Sequence, residues 1–388
     1  MKSSKKLIVY SISFMLSICF VFSLLISTKT MVVHADFSED IKYRSAVLIE
    51  KNSGKILVDD NSHDQFPIAS VTKLMTVLLT LERIEDGSIS LQDKVTVSDN
   101  AHNMGGSQIF LDANVQYDLE DLLKSVIVCS ANDSSVALAE HIAGSENNFV
   151  RLMNEKANEL NLKNTNYVNC TGLPSVEGYS SAYDQAIVLS HVLKYDNYHT
   201  YSSIWNEDFA HPSGRTTQMT NTNKLSRFYS GCIGGKTGST NQAKFCLSVG
   251  AKRNDMELIA CVLGVENSKD RFKLASALLN YGFDNYTSKT IFSNADLENK
   301  TISIKGMDRT TGLKAEKEFT YVGNKNENIN FSLNYNLPNQ LVSVEKNQVV
   351  GNVEIVIDGV VVETINILAT ETHNEANIWD YFKEIINQ

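Results

Sequence analysis

Short apolar runs separated by polar turns mark both ends of the region between residues 45 and 286. Ser45–Glu50 and Lys55–Val58 lie on either side of the polar turn Lys51–Gly54, which predicts two strands joined by a turn. Phe245–Gly250 and Leu258–Val265 repeat this pattern across a second polar turn. We therefore predict strands at the beginning and at the end of this region.

Between these strands, apolar residues recur at intervals of three and four, as is typical of amphipathic helices. The pattern predicts a helix from Ser70 that ends at Gly87. Further helical patterns cover Leu119–Val128, Ser134–Ala143, Asn147–Leu160 and Asp270–Tyr281. Helices in the middle and strands at the ends predict an α/β sandwich whose terminal strands share one sheet.

Residues 287–370 are rich in Val, Ile, Thr, Asn and Lys, in short alternating runs such as Thr301–Ile304 and Val353–Ile357. Asp358 and Gly359 stand together between two apolar runs, which predicts a tight hairpin. We therefore predict a small all-β domain over residues 287–370.

Residues 371–388 return to a helical pattern, so we predict an amphipathic tail helix there. Its apolar stripe consists of Ile378, Trp379, Phe382, Ile385 and Ile386. Acidic residues outnumber basic ones in the tail, and we expect only weak peripheral contact with a membrane. The alternative is that the stripe packs on the β domain.

The N-terminus has the pattern of a secretory signal. Three lysines within the first six residues precede Leu7–Ile26, which contains no charged residue, and Val33 and Ala35 suit the −3 and −1 positions of a cleavage site. We predict a signal peptide over residues 1–35, an extracytoplasmic protein, and the α/β domain over residues 36–286. The apolar stretch is also long enough to span a bilayer, so an uncleaved anchor is the alternative.

Composition narrows the class of protein. The chain has 388 residues, 43% of them hydrophobic, and only 4 prolines, which excludes collagen-like and mostly disordered classes. The formal net charge is −10 and no long Lys/Arg cluster occurs, so we expect no nucleic-acid partner. We interpret the five cysteines after the signal as small buried hydrophobic residues, with an approach of Cys246 to Cys261 as the alternative.

The first of three short motifs, Ser70-Val-Thr-Lys73, lies at the start of a predicted helix. Residues three apart share a helix face, so the Lys73 amine can reach the Ser70 hydroxyl. The free N–H groups and partial positive charge of a helix N-terminus would stabilise an oxyanion beside Ser70. Taken alone, the pattern also fits a solvated surface pair.

The second motif, Ser130-Ala-Asn132, lies between two helical patterns, where a helix cap is the alternative interpretation. The third motif, Lys236-Thr237-Gly238, precedes an apolar strand. An edge strand can pair with an extended peptide; Lys236 and Thr237 would then face a carboxylate, and Gly238 would let the ligand approach closely. A glycine turn into an edge strand is the alternative.

Together the motifs resemble those of the penicillin-binding serine D-alanyl-D-alanine carboxypeptidases of low molecular mass. They occur in the family's order, with gaps of 60 and 106 residues. Ala69–Thr76 looks like the family's nucleophile segment, Ser130–Asp133 like its second block and Leu278–Phe283 like its domain end. The resemblance covers roughly residues 41–370. It implies a serine β-lactamase/transpeptidase-like α/β sandwich followed by a small all-β domain.

The resemblance implies catalytic roles for Ser70, Lys73 and Ser130. Ser70 would attack the penultimate D-alanine carbonyl and form an acyl-enzyme, while Lys73 takes the proton. Burial, the helix N-terminus and Lys236 would lower the pKa of Lys73. Ser130 would relay a proton between Lys236 and the leaving group. We expect no cofactor, and the eight histidines show no zinc-ligand spacing, so we expect no metal.

The resemblance also implies a substrate-binding set, made of Asn132, Lys236, Thr237, Gly238, Ser239 and Arg271. Asn132 would bind the substrate amide, and the backbone N–H groups of Ser70 and Ser239 would form an oxyanion hole. Arg271 would bind the terminal carboxylate, with a solvated surface arginine as the alternative. The chain departs from the family at Ile233–Gly235 and at Ser239, which would alter the shape of the pocket.

The implied function is the removal of the terminal D-alanine from peptidoglycan stem pentapeptides, with β-lactam antibiotics as covalent inhibitors. One alternative is a class A β-lactamase, which needs a glutamate in a Glu-x-x-Leu-Asn motif. Here the corresponding Leu160-Asn161 is preceded three residues earlier by Ala157. The other alternative is a non-catalytic cell-wall scaffold, against which the complete set of motifs argues.

Overall fold

The computed structural model describes residues 40–306, 309–378 and 380. The predicted signal peptide and its cleavage site lie outside the described residues, as does most of the predicted tail helix. Within the described part of the chain, every helix is too short or too polar to cross a membrane.

Nine strands lie between residues 40 and 266, and five of them form the central sheet. In chain order they are β1 (Ser45–Glu50), β2 (Ile56–Asp60), β3 (Lys94–Thr96), β4 (Gln116–Asp118), β5 (Asn206–Ala210), β6 (Thr216–Thr220), β7 (Cys232–Thr240), β8 (Lys244–Arg253) and β9 (Met256–Val265). The central sheet is antiparallel in the order β2-β1-β9-β8-β7. The first and last strands of the region are therefore neighbours, which confirms the predicted sandwich, and β7 lies at an edge.

Helices lie on both faces of this sheet. In chain order, the helices described before residue 286 are α1 (Lys73–Glu85), α2 (Asp99–His102), α3 (Leu119–Val128), α4 (Asn132–Ala143), α5 (Glu146–Glu159), α6 (Ala182–Val192), α7 (Asp196–Ser202), α8 (Leu225–Phe228) and α9 (Asp270–Asn285). Of these, α6 packs on one face of the sheet and α9 on the other. Successive strand residues point to opposite faces, so Val47 packs with the core that contains α1 and Leu48 with the core that contains α9. Both faces of β1 are buried for this reason.

Three helices follow their predicted bounds within two residues, but α9 continues four residues past Tyr281. Gly282 explains the difference. A side chain there would come within 2.5 Å of Leu258 and 2.7 Å of Leu48, so its absence lets α9 lie directly on the sheet. The helices α6 and α7 and the hairpin β5–β6 were not among the predicted elements.

The C-terminal part is all β, as predicted. Its strands are β10 (Tyr286–Phe292), β11 (Thr301–Ile304), β12 (Thr310–Ala315), β13 (Phe319–Asn324), β14 (Phe331–Asn336), β15 (Gln340–Leu341), β16 (Val349–Ile357) and β17 (Val360–Ala369). The strand β10 pairs with β13, and the others form a sheet in the order β14-β16-β17-β12-β11-β15. Asp358 and Gly359 both have positive φ between β16 and β17, which confirms the predicted hairpin.

The prediction that the tail helix begins at Glu371 is wrong. Residues 371–377 contain no helix, and the backbone of His373 pairs with Val344 of the β domain. This bridge uses backbone groups that a helix would need. Helical structure first occurs at Ile378.

Candidate active site

Ser70 lies in a 3₁₀ turn, Ala69–Thr72, that leads directly into α1. Ala69 has φ of +48°, a conformation that L-residues rarely adopt. Gly172 packs against this turn: a side chain on it would lie 1.9 Å from the Ala69 carbonyl oxygen. The sharp turn and the glycine beside it leave Ser70 half-buried at the start of the helix.

Lys73 is completely buried, and its Nζ is bound by three oxygen atoms. It lies 3.1 Å from Ser70 Oγ, 2.6 Å from Asn132 Oδ1 and 2.6 Å from the Thr171 carbonyl oxygen. Burial lowers the pKa of Lys73 to about 7, because it disfavours the charged form. The lysine therefore exists as both amine and ammonium near neutral pH.

Ser130 lies between α3 and α4 with φ of +66°. The helix cap considered for it is absent, because α4 begins at Asn132 after Ala131 and its cap position makes no side-chain hydrogen bond. The Ser130 hydroxyl is buried and has no hydrogen-bond partner among the described residues. Strained backbone that carries an unpartnered buried hydroxyl is typical of a functional site.

The Asn132 side chain is fixed at both ends by the protein. Its Oδ1 accepts from Lys73, and its Nδ2 donates to the Gly105 carbonyl oxygen over 2.6 Å. Gly106 has positive φ and passes so close that a side chain on it would come within 2.8 Å of this Nδ2. The contacts of Asn132 thus orient Lys73, which the sequence interpretation had not included.

Asp133, which the motif analysis did not single out, holds the segment in front of Asn132. Its carboxylate accepts the backbone N–H groups of Ile109, Leu111 and Ser134 over 3.0–3.2 Å. Burial raises the pKa of Asp133, while these N–H groups oppose the rise. No sequence pattern reveals this role, because the segment lies more than twenty residues earlier in the chain.

Lys236, Thr237 and Gly238 lie side by side on the edge strand β7. The Lys236 Nζ donates to the Thr237 carbonyl oxygen over 2.9 Å, and Thr237 Oγ1 lies 2.8 Å from Thr222 Oγ1. Burial, followed by the charge of Lys73, lowers the pKa of Lys236 well below its ordinary value. Thr222 is a further residue that the motifs did not indicate.

Gly238 allows β7 to reach the nucleophile turn. A side chain at this position would lie 2.6 Å from the Ile68 carbonyl oxygen and 3.0 Å from the backbone nitrogen of Ser70. The next residue, Ser239, is exposed at the end of the cleft. Three motifs that are far apart in the sequence thus meet within one cleft.

Arg271 lies in the first turn of α9, buried behind β7. Its NH1 donates to the Gly238 carbonyl oxygen over 3.0 Å and lies 3.4 Å from that of Cys246. Burial lowers the pKa of Arg271 to about 10. These contacts support neither the predicted binding of a terminal carboxylate nor the solvated alternative, since they tie the guanidinium to backbone carbonyls.

A groove continues from the Ser70 turn towards the end of β7, between this strand and the segment 166–179. Its lining includes Ile68, Asn169, Leu173, Tyr179, Thr240 and Gln242. Within the described ranges, no group of three or more His, Cys, Asp or Glu residues is placed to hold a metal ion. The five described cysteines are free thiols.

Comparison with known proteins gives matches over most of the chain. Residues 29–267 match the peptidase S11 family, described as D-alanyl-D-alanine carboxypeptidase, and residues 286–375 match the C-terminal domain of penicillin-binding protein 5. D-alanyl-D-alanine carboxypeptidase DacF of Bacillus subtilis is 35% identical over 345 residues, which are 88% of either chain.

Two solved structures are similar over a comparable length. Penicillin-binding protein 5 of Haemophilus influenzae has 31% identity and a TM-score of 0.71, and the match covers 86% of this chain and 98% of that one. Penicillin-binding protein 6B of Escherichia coli has 30% identity and a TM-score of 0.64, with 86% and 96% covered.

Proposed function

Because the chain belongs to the peptidase S11 family of serine D-alanyl-D-alanine carboxypeptidases, we propose that it removes the terminal D-alanine from peptidoglycan stem pentapeptides through an acyl-enzyme on Ser70. The contact between Lys73 Nζ and Ser70 Oγ, together with the lowered pKa of Lys73, carries this proposal. A neutral amine 3.1 Å from a hydroxyl is a suitable general base for it.

In the acylation step, Ser70 Oγ forms a bond to the carbonyl carbon of the penultimate D-alanine and its proton passes to Lys73. The tetrahedral intermediate collapses, and the bond from carbon to the nitrogen of the terminal D-alanine breaks. The leaving amine needs a proton, which the unpartnered Ser130 hydroxyl relays from the two lysines. Water then cleaves the ester and restores Ser70.

The substrate lies along β7 in this proposal. The N–H groups of Ser70 and Ser239 donate hydrogen bonds to the oxyanion. Gly238 supports this arrangement because it lets the backbone of β7 approach the backbone of the Ser70 turn. The terminal carboxylate binds beside Lys236 and Thr237. The contact of Lys236 Nζ with the Thr237 carbonyl oxygen supports this placement because it holds the amine beside Thr237, and a carboxylate bound there would raise the pKa that burial has lowered.

The test is the release of D-alanine from a pentapeptide by the purified protein and by Ser70→Ala. We expect release by the former only, with Ser88→Ala, a substitution of an exposed serine beyond α1, as the control. Equal release by Ser70→Ala and the unchanged chain would contradict the assignment of the nucleophile.

We further propose that residues 1–35 direct the chain across the cytoplasmic membrane and that the domain boundaries are those predicted from the sequence. The charge and cleavage pattern of these residues supports export. Sequencing the N-terminus of the exported protein distinguishes cleavage after Ala35 from a retained anchor.

A further inference from the structure

The peptide group between Gly238 and Ser239 connects two features of the site. Its N–H belongs to Ser239, the second donor of the proposed oxyanion hole. Its C=O belongs to Gly238 and accepts a hydrogen bond from Arg271 NH1 over 3.0 Å. The Arg271 guanidinium therefore contacts the C=O end of this peptide group, while its N–H end would face the reacting carbonyl of the substrate.

The orientation follows from strand geometry. The C=O and N–H of one trans peptide group point in opposite directions. Gly238 lies opposite Cys246 of β8, and Arg271 NH1 is close to the carbonyl oxygens of both residues, so this C=O faces the interior of the sheet. The N–H of Ser239 consequently faces the open edge of β7, where Ser70 lies.

Arg271 is buried, and no carboxylate of the described residues forms an ion pair with it. The guanidinium lies 5.4 Å from the centre of the Phe245 ring and 4.8 Å from that of Phe272. The nearby Asp270 forms its ion pair with Lys273, and the Arg271 Nε has no hydrogen-bond partner in the part of the chain that the structure describes. A buried cation without an anionic partner lowers the stability of the folded chain. Its presence next to the active site therefore suggests that it contributes to function.

We propose that Arg271 is a positioning residue that polarises the Gly238–Ser239 peptide group and so makes the Ser239 N–H a stronger donor to the oxyanion. This proposal rests on the proposed function of the site. Hydrogen bonds in a chain strengthen one another, and a charged donor does so more than a neutral one. The gain is largest when negative charge develops on the carbonyl oxygen, so the effect favours the transition state over the bound substrate.

A role in binding the terminal carboxylate, expected from the sequence, makes a different prediction. In that case Arg271 would act on ground-state binding and only on ligands that carry a carboxylate. A residue that acts through the oxyanion hole would affect every acyl donor equally and would change kcat more than KM.

Three variants separate charge from contact. Arg271→Gln keeps a donor and removes the charge, Arg271→Lys keeps the charge, and Arg271→Met is a second neutral variant that fills the space between the two rings. Lys273→Gln removes a charge from the exposed face of the same helix and is the matched control. Circular dichroism and thermal melting establish which variants are folded.

Each variant is assayed with a peptide ending in D-Ala-D-Ala and with an N-acyl-D-alanyl thiobenzyl ester, which has no carboxylate. We expect Arg271→Gln or Arg271→Met to lose about tenfold in kcat with both substrates and little in KM, Arg271→Lys to lose less than about threefold, and the control to lose nothing. The carbonyl stretch of the acyl-enzyme should rise in frequency in the neutral variants, which a purely structural role would not cause.

Three results would overturn the inference. They are an unchanged kcat in a folded neutral variant, a loss confined to the peptide with the free carboxylate, or no recovery in Arg271→Lys. Failure of the proposed function itself is distinguishable, because the unchanged chain would then release no D-alanine, or Ser70→Ala would release as much as the unchanged chain, whatever the Arg271 variants show.

Discussion

The part of the chain before residue 286 and the β domain after it bury different kinds of residues. Lys73, Lys236, Asp133 and Arg271 are buried in the first part, whereas Thr311 is the single buried polar residue among those described after residue 286. The core of the β domain consists mainly of isoleucine and valine side chains. Buried charges destabilise a fold unless they are well paired. Here the Lys73 Nζ contacts Ser70 Oγ and the charge of Lys73 acts on Lys236, whereas the buried Glu50 and Asp184 bind other segments of the first part.

Backbone strain is distributed in the same way. In the first part, positive φ falls on Ala69, Phe110 and Ser130 around the cleft and on Lys244 at the start of β8, which are residue types that resist it; the other such positions outside glycine are asparagines. In the described part of the β domain, positive φ outside glycine occurs at Asn347 and Asp358, whose side chains tolerate turns. The comparison teaches that the first part accepts unfavourable local structure for its chemistry, while the second does not.

The largest effect is expected for Ser70→Ala, which should abolish labelling by a fluorescent penicillin without unfolding the chain. The covalent bond requires the Ser70 hydroxyl, and the other contacts of the cleft do not replace it. Gel fluorescence measures the labelling and circular dichroism the fold. Labelling that persists in the variant would place the nucleophile elsewhere.

A second prediction concerns the penicilloyl enzyme, which should persist for minutes or longer. Asp133 is the carboxylate whose charge acts on Lys73, and its oxygens are taken by backbone N–H groups, so it cannot serve as a base for water. Mass spectrometry over time measures the adduct. Its disappearance within seconds, with many turnovers, would indicate a β-lactamase.

Two glycine substitutions test the comparison directly. Gly238→Ala places a methyl group 2.6 Å from the Ile68 carbonyl oxygen in the cleft, and Gly351→Ala places one 2.4 Å from the Asn336 carbonyl oxygen in the β domain. The first should lower kcat/KM about a hundredfold, because small displacements of reacting groups are costly. The second should reduce stability by about 1–3 kcal/mol and leave kcat of the folded protein unchanged.

Steady-state kinetics and thermal melting of both variants measure these two effects. If Gly351→Ala lowered kcat as strongly as Gly238→Ala, the two parts would not be separable in function.

The pH dependence of acylation should follow the lysine pair. Lys73 acts as a base only when neutral, and its pKa is about 7, so kcat/KM should rise with pH through about 7 and fall about tenfold per unit below it. Because Lys236 is coupled to Lys73, the apparent pKa belongs to the pair. A rate profile that is flat between pH 5 and 8 would exclude Lys73 as the base.

Local rules predicted the parts of the site that depend on neighbouring residues. The spacing of Ser70 and Lys73 gives their contact directly, and the apolar runs gave the strands of the central sheet. They could not predict that the Thr171 carbonyl oxygen binds Lys73, because the partners are 98 residues apart. Such contacts arise from the packing of the chain as a whole.

The same limit applies to the unpredicted elements. In β5 the burial alternates, but Glu207 is polar and Phe209 is the single apolar residue that points inward, so the sequence lacks the apolar alternation from which a strand is recognised. The position of Arg271 behind β7 depends on how α9 lies on the sheet, which its sequence does not encode locally.

The smallest expected effect concerns the tail. Ile378, where helical structure begins, is 68% exposed. The predicted apolar stripe starts at this residue and continues into residues that the structure does not describe. Burial of such a stripe in a membrane would contribute roughly 4–7 kcal/mol if its five side chains are half-buried. Excess negative charge in the tail opposes this on an anionic surface, by about 1 kcal/mol per charge.

The balance predicts weak binding that depends on lipid charge. A chain ending at Asn377 keeps the His373–Val344 bridge and removes the stripe, so it is a cleaner comparison than removal of the whole tail. In sedimentation with vesicles, the full chain should bind neutral lipid slightly better than the shortened one, and both should bind anionic lipid poorly.

Tight binding of the full chain to anionic vesicles would contradict the charge argument. Equal binding of the two chains to neutral vesicles would instead favour a stripe that packs on the β domain, and Phe382→Asp, which should then lower the melting temperature, would test that outcome.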